Sequence, residues 1–415
     1  MRPLRILMVT RDVPWPADRG ARLRNLHLLK ALSQRHSVDL ATVGEVAEPL
    51  KAACNRVITV SAAPGMEAPI AMGWRQASDL LESLRTGEPL WLLSKAEHAL
   101  ATTCRELVAE GDYDLVIASE LVSASILIDH QDHPWTGPPV IYDAHNCEWR
   151  LLQQRAENEW PWLKAGARRE IDGLRAAEAR VLQRAALTLA TSDIDLADLD
   201  ETAGPGHARI EILPSAIDVS GYRTVREAAP EAGRVLVPGN FAWRPNLLGL
   251  EWFLDAVIPA LRRLRAGRPL SLEVAGRMPR SLPRRLRREA DLLVTPNPPD
   301  MRRAFAEAAA VAIPVLVSSG TRLRMTETLA CARAVVSTTA GASGIAGVPG
   351  THWLAADQPE AFAEALALVL DDEGERQRVG AAGYRLAQAF DWRGMAAPLD
   401  AFCSSVLEPH RTAAE

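Results

Sequence analysis

The chain alternates short apolar runs with amphipathic stretches of helical length. Arg5–Val9 predicts a strand, and Arg22–Gln34 predicts a helix with an apolar stripe of leucines from Leu23 to Leu32. Val38–Val43 predicts a second strand. Because a strand, a helix and a parallel strand in this order form a right-handed βαβ unit, the chain is predicted to begin as an α/β domain.

The same alternation continues through both halves of the chain. Further strands are predicted at Arg56–Val60, Leu115–Ala118, Val140–Tyr142, Leu187–Thr191, Arg234–Pro238, Leu270–Ala275, Ala312–Val317 and Ala334–Ser337. Helices are predicted at Lys164–Arg184, Leu247–Leu264, Asp300–Ala309, Gln358–Phe390 and Asp391–Leu407. The polar stretch Asp218–Gly233 predicts a linker. The expected fold class is therefore α/β, with two doubly wound halves.

The length, charge and cysteine spacing of the chain argue against several functional classes. At 415 residues the chain is long enough for two domains. A net charge of −5 provides no global basic field for binding nucleic acid. The five cysteines are scattered without a CxxC spacing, which argues against a disulfide framework or a zinc site. Without an apparent signal peptide or an eighteen-residue apolar run, the expected location is cytoplasmic, with contact at most to the inner face of a membrane.

The most informative stretch is Ser318–Ile345, which predicts a helix between two strands. Gly320 and Thr321 stand where the helix opens, and free backbone N–H groups at such a helix N-terminus suit a diphosphate. Glu327 follows Gly320 by nearly two turns, or ~10 Å along the axis, and therefore lies on the same helix face. Its carboxylate could accept two ribose hydroxyls, although a solvated helix residue would also explain it.

This stretch resembles the donor-binding segment of retaining glycosyltransferases of family 4, which have the GT-B architecture. In that family two acids separated by seven residues precede a sequence like ETLACARAVVST, and the second acid contacts the nucleotide ribose. Glu327 matches the second acid, whereas the first position falls on Ser319. The sequence is most similar to a branch with a small residue before Gly-Thr-Arg-Leu. The resemblance implies two Rossmann-like domains that face a cleft, and a C-terminal helix that crosses back to the first domain.

Two motifs of the first half carry the same resemblance. The loop after the first strand is similar to the family's glycine loop, in which Gly20 permits close approach of a ligand. The segment IYDAHNCEWRLL follows a predicted strand, and its polar residues are therefore expected at the carboxyl edge of a parallel sheet. His145 matches a family histidine that is directed toward the donor sugar, and Asn146 shares this edge. Local structural roles remain open for each: a helix start for Gly20, and hydrogen bonds to loop carbonyls for His145.

The second half adds candidate contacts to the donor. Gly239 and Asn240 end a predicted strand, and Arg244 stands beside the next helix opening. Relatives place a basic residue near this point to meet the diphosphate, which makes Arg244, Arg277 and Arg322 the cationic candidates. Arg322 is favoured because a cation in the first turn of a helix otherwise opposes the helix dipole. Each of these arginines could also be an ordinary surface residue.

Together these features predict a glycosyltransferase with domains at 1–215, 216–390 and 391–415. The first domain is expected to bind the acceptor, the second to bind the nucleotide sugar, and the last segment to be the returning helix. The catalytic candidates are His145, Arg322 and Glu327, and Ser319, Gly320 and Thr321 complete the donor cradle. No metal or other cofactor is expected, since backbone amides and arginines can stabilise the leaving diphosphate.

The partners that this prediction implies are small molecules. They are a nucleotide-sugar donor and a saccharide, lipid-linked or small-molecule acceptor, with no nucleic acid. Tryptophans and arginines from Trp160 to Arg169 could rest transiently on a membrane surface, although ordinary helix packing also explains them. A non-catalytic nucleotide-sugar-binding relative and a GT-B nucleotide-sugar epimerase remain as alternatives.

Overall fold

The computed structural model divides the chain into two compact units. It describes residues 2–17, 19–46, 48–61, 89–92, 95–129, 134–157, 161–279, 281–282, 286, 292–316 and 323–412. The N-terminal unit comprises Met1–Ala216 together with Trp392–Glu415, and the C-terminal unit comprises Ile217–Asp391. The boundaries expected after residues 215 and 390 thus each lie one residue before the observed ones.

Seven parallel strands form the sheet of the N-terminal unit, within the part of the chain that the structure describes. They are β1 (Arg5–Thr10), β2 (Ser37–Val43), β3 (Arg56–Val60), β4 (Leu115–Ser119), β5 (Val140–Asp143), β6 (Leu187–Ala190) and β7 (Ile210–Ile212). Their order in the sheet is β3-β2-β1-β4-β5-β6-β7. The central strands are buried throughout, as expected for a parallel sheet covered on both faces.

Helices cover both faces of this sheet. They are α1 (Gly20–Leu32), α2 (Glu48–Lys51), α3 (Lys95–Glu110), α4 (Glu120–Ile128), α5 (Glu148–Glu157), α6 (Pro161–Arg184) and α7 (Asp193–Ala203). The C-terminal helix, Ala396–Thr412, also packs in this unit, and it buries Leu399 and Cys403 in a core shared with α1. Trp392, just before this helix, stacks on His27 of α1 with ring centroids 6.3 Å apart.

The C-terminal unit repeats this architecture. Among the described residues its parallel strands are β8 (Arg234–Asn240), β9 (Ser271–Arg277), β10 (Leu292–Pro296), β11 (Ala310–Ile313), β12 (Ala334–Ser337) and β13 (Leu354–Ala355), in the order β10-β9-β8-β11-β12-β13. Its helices are α8 (Arg223–Glu227), α9 (Arg244–Trp252), α10 (Ile258–Leu264), α11 (Arg302–Glu307), α12 (Leu323–Ala330), α13 (Pro359–Asp371) and α14 (Glu373–Ala387). Both units are thus Rossmann-like, which confirms the predicted fold class.

Some element predictions were wrong in detail. The expected linker Asp218–Gly233 contains a 3₁₀ turn, Val219–Tyr222, followed by α8, because Asp218 caps the turn and apolar side chains are buried beneath it. The strand expected at Ala312–Val317 is instead β11, which begins two residues earlier. It stops at Ile313 because Pro314 has no N–H to continue the ladder.

Helix α1 also differs from its prediction. The leucine stripe was expected to be the buried face, but the helix is buried over most of its circumference and includes Arg24, Asn25 and His27 among its buried residues. These polar side chains have partners within the unit, so their burial is compensated. Across the described residues, no helix combines the length and the apolar character needed to cross a bilayer.

Candidate functional site

The carboxyl edge of the N-terminal sheet gathers polar residues from separate strands. The strand order reverses direction between β1 and β4, and open α/β sheets bind ligands in the crevice at such a point. Ser119 and Glu120 follow from the end of β4, and Asp143 and His145 from the end of β5. Topology therefore brings together residues that are more than twenty positions apart in the sequence.

A buried ion pair forms the floor of this site. Arg24 of α1 is 1% exposed and Asp143 is fully buried, and the guanidinium binds the carboxylate through Nε and Nη2. The same guanidinium donates to the carbonyl of Leu213 at 2.8 Å. Burial alone would raise the pKa of Asp143, but Arg24 and the hydrogen bond from His145 outweigh it and hold that pKa well below its usual value. Asp143 is therefore ionised and fixed in place.

One ring nitrogen of His145 is hydrogen-bonded to the carboxylate of this ion pair. Its Nε2 lies 3.1 Å from Asp143 Oδ2 and 2.8 Å from Ser119 Oγ. The Ser119 hydroxyl donates in turn to Asn25 Oδ1 at 2.5 Å. The side chain of His145 is 6% exposed, and its Nδ1 has no hydrogen-bond partner among the described residues. An ionised carboxylate only accepts hydrogen bonds, so Nε2 carries a proton, and in the neutral tautomer with that proton Nδ1 is an acceptor.

Glu120 lies beside the open nitrogen of His145, and Glu148 interacts electrostatically with both residues. Glu120 Oε1 lies 3.9 Å from Nδ1, and Glu120 has a left-handed backbone with φ of 68°. Burial raises the pKa of Glu120. Burial and the charge of Glu120 together raise the pKa of Glu148 to about 7. A left-handed residue other than glycine costs on the order of 1 kcal/mol or more, and such strain is concentrated at functional sites.

Two other predicted residues stand at the same edge. Gly20 is the first residue of α1 and is exposed. Asn146 is half-buried, and its side chain forms a hydrogen bond with the carboxyl of Glu148. His145 and Asn146 thus follow β5 at this edge, and α1 starts at the same edge after β1; the ligand roles of these residues stay predictions.

A second buried acid lies behind the site. Glu178 of α6 is fully buried, and its hydrogen-bond donors are neutral: the Tyr142 hydroxyl at 3.2 Å, the Cys147 thiol at 3.4 Å and the Glu148 N–H at 3.3 Å. Burial, and secondarily the charge of Glu148, raise the pKa of Glu178 to about 8. At neutral pH this carboxyl therefore keeps its proton.

We expect Glu178→Gln to stabilise the protein at pH 8 but not at pH 5. Between the ordinary pKa of 4.5 and the folded pKa of about 8, the folded state holds a proton that the unfolded state releases, so stability falls as pH rises. Glutamine keeps the shape and has no proton to release. The expected gain is about 1–3 kcal/mol at pH 8, or roughly 2–12 °C in Tm.

Thermal unfolding from pH 5 to pH 8 measures this effect, with Glu106→Gln as the control. Glu106 is an exposed glutamate of α3, in the same unit. A Tm difference between Glu178→Gln and the wild type that stays constant across this pH range would contradict a protonated Glu178.

The C-terminal unit places Glu327 on α12 with its carboxylate already oriented. Oε1 accepts a hydrogen bond from the Tyr222 hydroxyl at 2.8 Å, and Oε2 accepts one from Arg324 at 2.7 Å. The side chain is 12% exposed. Burial, and secondarily the charge of Glu327, hold the pKa of Tyr222 well above its usual value, so the phenol remains a donor. A carboxylate offers about four lone-pair sites, so acceptor capacity remains for a ligand.

The other donor candidates lie at strand ends of the same sheet. Gly239 and Asn240 end β8, Arg277 ends β9, and Arg244 begins α9; Asn240, Arg277 and Arg244 are exposed. Gly276 pairs with Gly239 and has φ of 133°, and a Cβ built on it would lie 2.0 Å from the Gly239 carbonyl oxygen. Two main chains therefore touch at this edge without side chains between them. Ser319, Gly320, Thr321 and Arg322 lie outside the described residues, so the diphosphate cradle stays a prediction.

Sequence reasoning missed several residues in both clusters, Ser119 and Asn25 among them. Arg24 and Glu120 belong to the His145 cluster, and Tyr222 and Arg324 hold Glu327. Arg324 had a readable signal, because it precedes Glu327 by three residues on one helix face. For Arg24 the sequence signal was weaker: it stands between leucines that were expected to be buried, which suggests that Arg24 is buried too.

Comparisons with known proteins agree with this architecture. Residues 232–372 match the family model described as glycosyl transferases group 1. Over 303 residues the chain is 26% identical to D-inositol 3-phosphate glycosyltransferase of Pseudarthrobacter chlorophenolicus, a match covering 69% of each chain. Sucrose-phosphate synthase from Thermosynechococcus elongatus is similar in structure, with a TM-score of 0.69 and 16% identity over 99% of this chain and 100% of that one. Anabaena HepE in complex with UDP-glucose has a TM-score of 0.66 and 16% identity, over 97% of this chain and 100% of the other.

The structural matches and the family match support different conclusions. The solved structures are too distant in sequence to show more than a shared fold, and that fold is GT-B. The family match covers most of the C-terminal unit, which contains Glu327, and it identifies the chain as a glycosyltransferase.

Proposed function

We propose that this chain is a retaining glycosyltransferase of family 4 that moves a sugar from a nucleoside-diphosphate sugar to an acceptor hydroxyl. The observation that carries the proposal is Glu327: it lies within the segment that matches glycosyl transferases group 1, and Tyr222 and Arg324 orient its carboxylate. Preorganised acceptors of this kind suit paired hydroxyls such as those of a ribose. Glu327 accordingly accepts hydrogen bonds from the ribose hydroxyls of the donor.

The leaving diphosphate needs positive potential as the glycosidic bond breaks. In the proposal, the backbone amides of Gly320 and Thr321, together with Arg322, stabilise this developing charge, with Arg244 and Arg277 as further cations. No metal ion is required, since these groups replace its charge. The transferred sugar becomes oxocarbenium-like as its bond to the diphosphate breaks. The acceptor hydroxyl attacks from the face that the diphosphate leaves and gives its proton to the departing phosphate, so the anomeric configuration is retained.

His145 contacts the transferred sugar in this scheme. Its buried Nδ1 is a hydrogen-bond acceptor held by the Arg24–Asp143 pair, which fixes the orientation of the ring. A fixed acceptor recognises a sugar hydroxyl more selectively than a mobile surface side chain, because less freedom is lost on binding. Exopolysaccharide or cell-envelope glycan synthesis is the proposed setting, with a saccharide or lipid-linked acceptor and cytoplasmic action at or near the membrane surface.

A donor panel tests the proposal. Thermal shifts with UDP-, GDP-, dTDP- and ADP-sugars should identify one base whose sugars raise Tm by several degrees at saturating concentration. The preferred donor should then be hydrolysed slowly without acceptor and release the nucleoside diphosphate. Binding without any turnover would instead indicate a non-catalytic binder, and NMR of the product's anomeric proton would reveal inversion if the retaining assignment were wrong.

A further inference from the structure

Glu178 is a buried acid that no step of the proposed transfer uses. It is 0% exposed, and a carboxyl is costly to bury unless its hydrogen bonds compensate. From α6 the carboxyl reaches β5 and the segment after it. It accepts hydrogen bonds from the Tyr142 hydroxyl at 3.2 Å, the Cys147 thiol at 3.4 Å and the Glu148 N–H at 3.3 Å. An apolar side chain would fill this space at lower cost, so these hydrogen bonds are what the acid contributes.

The start of α5 depends on this carboxyl for its cap. Cys147 occupies the position before the helix, where Ser, Thr, Asp or Asn usually provides an oxygen that accepts from the free N–H groups. A thiol is only a weak acceptor. Glu178 Oε1 instead accepts from one of these groups, the Glu148 N–H, and it does so from a different helix. The carboxyl therefore ties the first turn of α5 to α6.

His145 lies between two points at which its loop is held. The loop comprises residues 144–147, between β5 and α5. Before the histidine, the Ala144 N–H donates to the Leu189 carbonyl of β6 at 2.9 Å. After it, the thiol and the N–H that bond to Glu178 fix the other end of the loop. Asp143 sets the direction of the imidazole ring, whereas these two ends set where the backbone of His145 lies.

We propose that Glu178 is a positioning residue for glycosyl transfer: it holds the end of the loop 144–147 and so keeps His145 where it contacts the transferred sugar. The inference rests on the proposed function and adds to it a residue that touches neither the donor nor the acceptor. A displacement of about 1 Å at such a contact can cost about 100-fold in rate. Loss of the hydrogen bonds to Glu178 should therefore lower kcat. The affinity for the nucleoside diphosphate, which binds to the C-terminal unit in the proposal, should stay the same.

Ionisation of Glu178 should release the loop end. Among the described residues, the titratable groups that act on this carboxyl are Tyr142 of β5, Cys147 of the loop and Glu148 of α5. Burial, and secondarily the charge of Glu148, raise its pKa to about 8. The hydrogen-bond donors are neutral, so the ionised form is poorly compensated in the buried site. As the pH rises through 8, the carboxylate favours contact with water, and the positioning of His145 is lost.

Steady-state hydrolysis of one nucleotide sugar from pH 6 to pH 9 tests the proposal on the full chain. The probe is the nucleotide sugar with the largest thermal shift in the donor panel. Glu178→Gln keeps the shape and an acceptor oxygen but has no titrating proton. Its kcat should match the wild type within about twofold at pH 6 and exceed it by about tenfold at pH 9. Glu178→Leu removes the acceptors, and it should lose about 10–100-fold in kcat relative to Glu178→Gln, with nucleoside diphosphate affinity unchanged.

Asp129→Asn controls for a general loss of stability in the same helix. The side chain of Asp129 is 4% exposed and pairs with Arg180 and Arg184 at the C-terminal end of α6. This variant should lower Tm, yet its pH profile of kcat should run parallel to that of the wild type. A shift in the pH profile that also occurred in Asp129→Asn would mean that the effect is not specific to Glu178.

Equal pH dependence of kcat in the wild type and Glu178→Gln overturns the inference, as does a folded Glu178→Leu with the kcat of the wild type. Failure of the proposed function looks different, since no nucleotide sugar would then shift the Tm of the wild type or be hydrolysed by it. In that case hydrogen exchange of residues 141–150 still tests whether Glu178 holds the loop. Exchange at pH 7 should be at least about tenfold faster in Glu178→Leu than in Glu178→Gln, and equal rates would show that it does not.

Discussion

Replacing Glu327 with alanine is expected to weaken donor binding by about 10–100-fold. Hydrogen bonds to a charged group contribute about 1.5–3 kcal/mol each, and the loss of one of them corresponds to about 10–100-fold in affinity. Isothermal titration with the nucleoside diphosphate and its 2′-deoxy analogue measures the effect. The wild type should discriminate against the deoxy form by about tenfold, and Glu327→Ala should bind both forms alike, because the partner of the missing hydroxyl is gone.

The chain provides a matched control for this substitution. Glu375 pairs with Arg378 three residues away on α14 of the same unit, as Glu327 pairs with Arg324 on α12. Glu375→Ala therefore removes an equivalent helical ion pair away from the proposed ribose site, and it should leave both affinities unchanged. If Glu327→Ala still distinguished the two nucleotides as the wild type does, the ribose assignment would be lost.

Replacing Arg24 with methionine is expected to destabilise the N-terminal unit by about 3–5 kcal/mol. Arg24 and Asp143 are almost completely buried, and removal of the guanidinium leaves an uncompensated carboxylate and an unpaired Leu213 carbonyl. The expected fall in Tm is roughly 6–20 °C. Circular dichroism during heating measures it.

Arg35→Met provides the comparison for this loss. Arg35 pairs with Asp400 in the same unit, but its side chain is 57% exposed, and exposed pairs contribute about 0–1 kcal/mol. A similar small fall in Tm for both variants would mean that the buried pair does not support the site. Because Asp143 also fixes the ring of His145, Arg24→Met is expected to lose sugar transfer even at temperatures where it remains folded.

The sequence predicted the parts of this molecule that depend on local chemistry. The alternating runs predicted two doubly wound units, and IYDAHNCEWRLL placed His145 and Asn146 at a sheet edge. These inferences succeed because a strand, its following loop and the next helix are neighbours along the chain.

The partners of those residues could not be predicted in the same way. Arg24 lies 119 residues from Asp143, and Tyr222 lies 105 residues from Glu327. Such contacts depend on strand order, which an apolar pattern does not determine. The leucine stripe of α1 was misleading for the same reason: a helix packed between a sheet and the C-terminal helix is buried on more than one side.

The paired glycines at the ends of β8 and β9 limit the positions at which substitutions can change donor preference. Any side chain at position 276 would collide with the Gly239 carbonyl, so this position cannot be substituted without separating the two strands. Substitutions that alter which nucleotide or sugar is accepted are therefore expected at exposed neighbours such as Asn240 and Arg277. Engineering of donor choice should begin at those positions, with Gly276 left intact.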